Sequence, residues 1–170
     1  LAKKQKKQEK HGKQAAGTPA TVALTAAGAA FTVHSYEHDP AHPSYGEEAA
    51  EAMGVSPDRV FKTLARGRRR ADRRRRAGRG FPGPEGAGRR RLRQAGGDGR
   101  PGGAERTTGY VRGGISPLGQ RKRLRTVLDA SASAHATICV SAGRRGLEVE
   151  LAPGDLAKLT EAVLAPIGRA

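Results

Sequence analysis

The sequence predicts an α+β fold, and three observations carry the prediction. Short runs that alternate apolar and polar residues, Phe31–Tyr36 and Leu147–Leu151, have the period of half-buried strands. Short segments between such runs open on a capping residue and close on glycine, as helices do. Two polar, glycine-rich loops, Gly113–Gly119 and Ser141–Gly146, sit beside the strand-like runs and read as two walls of a small pocket. At 170 residues the chain is expected to form one domain with a core of its own.

In chain order, Thr18 followed by Pro19 reads as an N-cap and a first-turn proline, opening a helix to Ala27 that Gly28 stops. Phe31–Tyr36 is the first strand. Ser44 caps a helix through Met53, ended by Gly54, and Ser56-Pro57-Asp58 is a turn or helix start. Val60–Leu64 begins a strand that carries Lys62 within an apolar run. After residue 103 a helix end at 104–108 leads into the Gly113 loop. Strands follow at 124–128, 136–140 and 147–151, and Pro153-Gly154-Asp155 starts a last helix through Leu156, Leu159 and Val163.

Charge divides the chain. The formal charge is +16, yet residues 1–17 hold +5 of it and residues 65–103 hold +11, so the remainder is neutral. Residues 1–17 are polar, lysine-rich and aperiodic, and read as a basic disordered tail. Residues 65–103 contain fourteen Arg and eleven Gly, with Leu92 as the only large aliphatic residue. No strand or helix period survives there, and a globular domain should not hold so long a structureless insert. One reading is an arginine-rich RNA-binding segment. The preferred reading is an aberrant stretch: a wrong reading frame between compensating frameshifts near Ala65 and Gly103. Arg, Gly, Ala and Pro are what a GC-rich gene yields out of frame. Reading one nucleotide later makes available a turn (VDG), an alternating strand (LTVAVVPV) and a capped helix (DLKALAAAA). As written, the stretch is expected to be irregular and poorly packed.

One cysteine, Cys139, excludes a disulfide framework, and its strand-like neighbours suit a buried thiol. No apolar run is long enough to span a bilayer and no signal peptide is evident, so no membrane partner is expected and the cytoplasm is the expected compartment. His34, His38 and His42 recur every four residues, but a strand and a Pro-containing turn do not give them helical geometry. No metal site is assigned, and His38 is read as orienting a loop.

Several stretches resemble the YbaK/EbsC family of free-standing aminoacyl-tRNA deacylases, related to the editing domain of bacterial prolyl-tRNA synthetases. They are TVHSYEHDP at 32–40, SYGEEAAEAMGV at 44–55, RVFKTL at 59–64, TTGYVRGGISPLGQRKRL at 107–124 and SAGRRGLEVEL at 141–151. The resemblance covers residues 18–64 and 104–168, which it makes one deacylase domain. It implies a mixed, partly barrel-like β-sheet flanked by helices, and hydrolysis of a mischarged aminoacyl-tRNA, with Cys-tRNA(Pro) as substrate, tRNA(Pro) as RNA partner, and prolyl-tRNA synthetase as a further partner. No cofactor is implied. In this family the substrate thiol is implicated as the attacking group.

The resemblance also implies site residues. Lys62 matches the lysine of the editing pocket, and a lysine in an apolar strand is costly to bury without a partner or a task. Gly113 matches the loop glycine whose backbone approaches the ester. Tyr36 and Tyr45 match aromatic pocket positions, and Ser116, Ser141 and Gly143 are further pocket candidates. Glu148 stands where many relatives have Asp, and an acid there suits an α-ammonium. Two other readings stay open: a related deacylase for Ala- or Pro-like esters, and a non-catalytic RNA-binding protein built on the arginine tract.

Overall fold

A computed structural model describes residues 17–67, 91–97 and 102–167. Helix α1 (Pro19–Ala26) opens as the sequence predicts: the Thr18 hydroxyl accepts the Thr21 N–H at 3.2 Å. Ala20 and Leu24, one turn apart, are fully buried against the core. Helix α2 (Tyr45–Met53) starts after Ser44 and stops at Gly54. The Ser44 hydroxyl makes no capping bond, contrary to expectation; it is buried without a partner, and the Ser44 N–H turns to His42 Nδ1 at 3.2 Å.

Two sheets organise the described residues. The first has the order β1 (Phe31–Ser35), β6 (Leu147–Leu151), β5 (Ile138–Ser141), antiparallel throughout. Alternation along β6 puts Leu147, Val149 and Leu151 in the core and Glu148 and Glu150 on the other face. The second has the order β2 (Lys62–Gly67), β3 (Arg91–Gly97), β4 (Arg125–Asp129), β7 (Val163–Ala165), with β2–β3 and β4–β7 parallel and β3–β4 antiparallel. A bridge between Val60 and Cys139 joins the sheets, and the Phe61 N–H donates to the Cys139 carbonyl at 2.9 Å. The fold is thus the expected mixed α+β. The partly barrel-like sheet resolves into two sheets joined at this bridge, with no closed barrel among the described residues. Phe61, Leu92, Leu128, Ile138, Val149 and Leu156 meet in one core between the sheets, α1 and α4 (Pro153–Thr160).

Three expectations change. The stretch 65–103 forms paired strands over most of its described residues: β2 continues to Gly67, with a register shift between Arg66 and Gly67, and Arg91–Gly97 pairs with strands on both sides. Backbone pairing needs no apolar composition, and Leu92 and Gln94 alternate inward, both buried. Residues 68–90 and 98–101, like 1–16 of the tail, lie outside the described residues. The last helix ends at Thr160, because Glu161 adopts a left-handed conformation, and Val163 belongs to β7. Finally, the strands expected at 60–64, 124–128 and 136–140 begin at Lys62, Arg125 and Ile138.

The loop between α3 (Gly103–Thr108) and β4 is braced from inside. The Tyr110 hydroxyl donates to the Leu118 carbonyl at 2.6 Å. Gln120 Nε2 donates to the Ser116 carbonyl at 2.7 Å and to Gln94 Oε1, and Gln94 Nε2 donates to Thr126 Oγ1 at 3.1 Å. A strand of the arginine-rich stretch therefore buttresses the glycine loop.

Candidate active site

A cleft of about 550 Å³ opens beside the start of β2, and Tyr45, Lys62, Gly113, Ser141 and Glu148 all line it. These five come from separate parts of the chain, and the fold brings them together. Lys62 is the first residue of β2, and its Nζ lies 5.8 Å from the Tyr45 ring centroid, within cation–π range. Tyr45 is the first residue of α2. His38 flanks its ring with centroids 5.2 Å apart, and His38 Nδ1 hydrogen-bonds the buried Glu48 carboxylate at 2.9 Å. Glu48 also accepts the Asp39 N–H at 2.6 Å, so His38 orients its loop as expected. His34 and His42 turn to other carboxylates, Glu150 and Glu51.

The two glycine loops, expected as two walls of a pocket, instead pack against each other on one side of the cleft. Gly113 has φ 89°, and a Cβ on it would stand 3.1 Å from Tyr45 and 3.0 Å from Arg145 Nε. Only glycine leaves this backbone open to the cleft. At Gly114 a Cβ would come within 2.7 Å of the Arg144 backbone, so the loops touch main chain to main chain.

Glu148 and Glu150 share one face of β6 and are driven apart in acidity. Burial pushes the Glu148 carboxyl up to about 8, against a single hydrogen bond from Ser141 Oγ at 3.1 Å. Hydrogen bonds from Thr137, His34 and Arg59 hold Glu150 down at about 2. One carboxyl is a proton-holding group in a cleft; the other is a fixed anion in a network. Such divergence marks a division of roles. Burial pushes the Cys139 thiol up to about 12, and it does not line the cleft, so it is no nucleophile.

Three candidates stand outside the lining. Tyr36 packs half-buried by Val60 and Cys139, and burial followed by the Glu148 charge raises its phenol pKa. Ser116 is fully buried, its hydroxyl accepting the Leu118 N–H at 3.3 Å. Gly143 packs against the Tyr110 ring and Thr18. Sequence reasoning missed Thr63, Glu105 and Arg112 on the lining. Arg112 had a signal, its position directly before Gly113-Gly114, but a loop arginine reads as a solvated charge. Among the described residues no three His, Cys, Asp or Glu side chains gather as a metal site, and no helix is long and apolar enough to cross a membrane.

The chain resembles known proteins in both sequence and fold. The profile of the aminoacyl-tRNA editing domain matches residues 89–159, starting inside the arginine-rich stretch. A protein of Enterococcus faecalis, named as a proposed Cys-tRNA(Pro)/Cys-tRNA(Cys) deacylase, EbsC, is 35% identical over 127 residues, 71% of this chain and 75% of its own length. Two solved structures share the fold at low identity. A scaffold used for computational epitope grafting has a TM-score of 0.60 at 20% identity, over 89% of this chain and 96% of its own. A structure titled as a proposed trans-editing enzyme for prolyl-tRNA synthetase has 0.58 at 18%, with the same coverages. With an alignment that spans most of both sequences and a domain profile over its second half, the chain belongs to the family of aminoacyl-tRNA editing domains.

Proposed function

We propose that this chain hydrolyses the ester that joins a wrong amino acid to the 3′ end of a tRNA, with cysteine on tRNA(Pro) as its substrate. Membership of the editing family supports deacylation, and the name of the Enterococcus relative supports cysteine. The observation that carries the reading is the convergence of a lysine, an open glycine backbone and a buried acid on one cleft. The Ser141 hydroxyl on the lining donates a hydrogen bond to Glu148.

An ester needs orientation and charge stabilisation more than covalent help. An arriving α-ammonium favours the ionised form of Glu148, which gives up its proton to solvent and then receives the cation. Tyr45 bounds the amino-acid side chain and fixes Lys62. The Gly113 backbone faces the oxygen on which charge develops, and Lys62 polarises the same carbonyl. With cysteine, the substrate's sulfur attacks its own carbonyl carbon: the S–C bond forms, the C–O ester bond breaks, and the departing ribose oxygen takes the proton. Water then opens the thiolactone. Prolyl-tRNA synthetase is the proposed partner that delivers the tRNA.

The test is a panel of Cys-tRNA(Pro), Cys-tRNA(Cys), Ala-tRNA(Pro) and Pro-tRNA(Pro). Hydrolysis of Cys-tRNA(Pro) ahead of the others supports the reading. Preference for the alanine or proline ester replaces cysteine as substrate, and salt-sensitive RNA binding with no hydrolysis overturns the enzyme.

We further infer that residues 65–103 carry a compensated change of reading frame within an editing domain of 18–168. The family match begins at residue 89, inside this stretch, which argues against a wrong frame over 89–103. Resequencing decides it: clean in-frame reads of the arginine codons would sink the idea.

A further inference from the structure

Two arginines bracket Gly113. Arg112 precedes it and lines the cleft. Arg145 comes from the other glycine loop; its Nε donates to the Arg112 carbonyl at 2.9 Å and lies 3.0 Å from where a Gly113 Cβ would stand. Both residues are exposed. Arg59 pairs with Glu150, and Arg123 with Glu161. Neither Arg112 nor Arg145 has an ion pair among the described residues. Glu105, on the same rim, accepts the Arg112 backbone N–H at 3.0 Å and so fixes the loop without pairing either guanidinium.

A hydrogen bond thus ties the Arg145 side chain to the main chain of Arg112, and sets two exposed arginines on either side of Gly113. Two cationic residues on one rim give it a positive potential that attracts an anion. Guanidinium groups suit phosphate oxygens because their planar donors bind in pairs. We propose that Arg112 and Arg145 form a clamp for the phosphodiester that joins the terminal nucleotide to the rest of the RNA strand. This rests on reading the cleft as the aminoacyl-ester site. The ester and that phosphate sit on opposite sides of one ribose. An ester carbonyl at Gly113 therefore puts the phosphate one sugar away, toward the rim where the two arginines stand. Lys62, held on Tyr45 further inside, is then left to act on the ester.

The experiment compares two esters of the same amino acid: the charged tRNA and an aminoacyl-adenosine that lacks the phosphate. Single-turnover rates are measured for the wild type, R112A, R145A, the double variant and R145K, with melting temperatures alongside. On tRNA the double variant should lose about 10–100-fold, the scale of charge-assisted hydrogen bonds, with R145K between it and the wild type. On aminoacyl-adenosine it should stay within about 2-fold. The slope of log rate against log salt should fall by about one for the tRNA ester alone. Equal losses on both esters, or no loss on tRNA, would overturn the clamp while leaving the deacylase reading in place. A wild type that cleaves neither ester overturns that reading, and the clamp with it.

Discussion

The two sheets reach the same core by different means. The β1-β6-β5 sheet is antiparallel and built from the apolar run Ile138-Cys139-Val140, buried throughout, and from Leu147–Leu151, whose alternation of aliphatic and acidic residues separates its two faces. The β2-β3-β4-β7 sheet mixes parallel and antiparallel pairs and draws β3 from an arginine- and glycine-rich stretch. Its inward face includes a polar pair, Gln94 and Thr126, beside Leu92 and Leu128. Strands β1 and β6 of the first sheet show their buried face in their own residues, although β1 pairs with β6 from the far end of the chain. The second sheet pairs segments closer in sequence, lacks that signal in β3, and carries Lys62.

The comparison breaks most sharply on core truncation. Leu92→Ala should cost about 2–5 kcal/mol, as much as Leu151→Ala in the other sheet, since both are buried leucines. Denaturant unfolding measures both. A negligible cost for Leu92→Ala alone would mean that β3 does not pack. Next in size is Lys62→Ala, which should lower deacylation by about 10²–10³-fold with an unchanged melting temperature. A variant with near-normal turnover removes Lys62 from the site.

Gln94→Ala tests whether β3 also supports the loop. It removes the partner of Thr126 and one partner of Gln120, and should cost about 1–3 kcal/mol. Activity should fall beyond what the stability loss explains, because Gln120 holds the Ser116 carbonyl. Equal activity at temperatures where both proteins are folded would confine Gln94 to the core.

Two further effects are in pH. Glu148 is raised to about 8, so the folded state keeps a proton that the unfolded chain releases from its ordinary value of 4.5 upward. Its contribution is complete below 4.5 and is lost as pH rises through 8; Glu148→Gln should flatten that fall. Glu150, lowered to about 2, acts in the opposite sense: its contribution is present above 4.5 and is lost as pH falls toward 2. Unfolding midpoints across pH measure both slopes. A Glu148→Gln profile parallel to the wild type would place its carboxyl in water.

What the sequence shows follows the same division. Strand β1, strand β6 and helix α1 are readable because their signals are local: alternation, a Thr-Pro start, a glycine stop. Strand β3 is not, since Leu92 and Gln94 alternate only once and arginine gives no hint of burial. Strand β7 is three residues long, and Val163 continues the helical spacing of Leu156 and Leu159, so only its pairing with Val127 reveals it. In the cleft, Lys62, Gly113, Tyr45, Ser141 and Glu148 are legible because each matches a motif. Ser116 shares its motif and is buried as a brace, which no local signal distinguishes. The arginines of the rim are visible as charges, but their pairing across two loops exists only in three dimensions.

Where Gly114 meets the Arg144 backbone, the wall between the loops is set by main chain alone. The span of that wall is therefore inherited with the fold and does not drift when side chains change. On the proposed reading, alteration of substrate preference is left to side chains on the lining such as Tyr45 and Glu148. A scaffold of this kind separates what must stay constant, the grip on an RNA end common to all tRNAs, from what can vary one residue at a time. Descendants of one such domain can diverge in the amino acid they remove without rebuilding the place where they remove it.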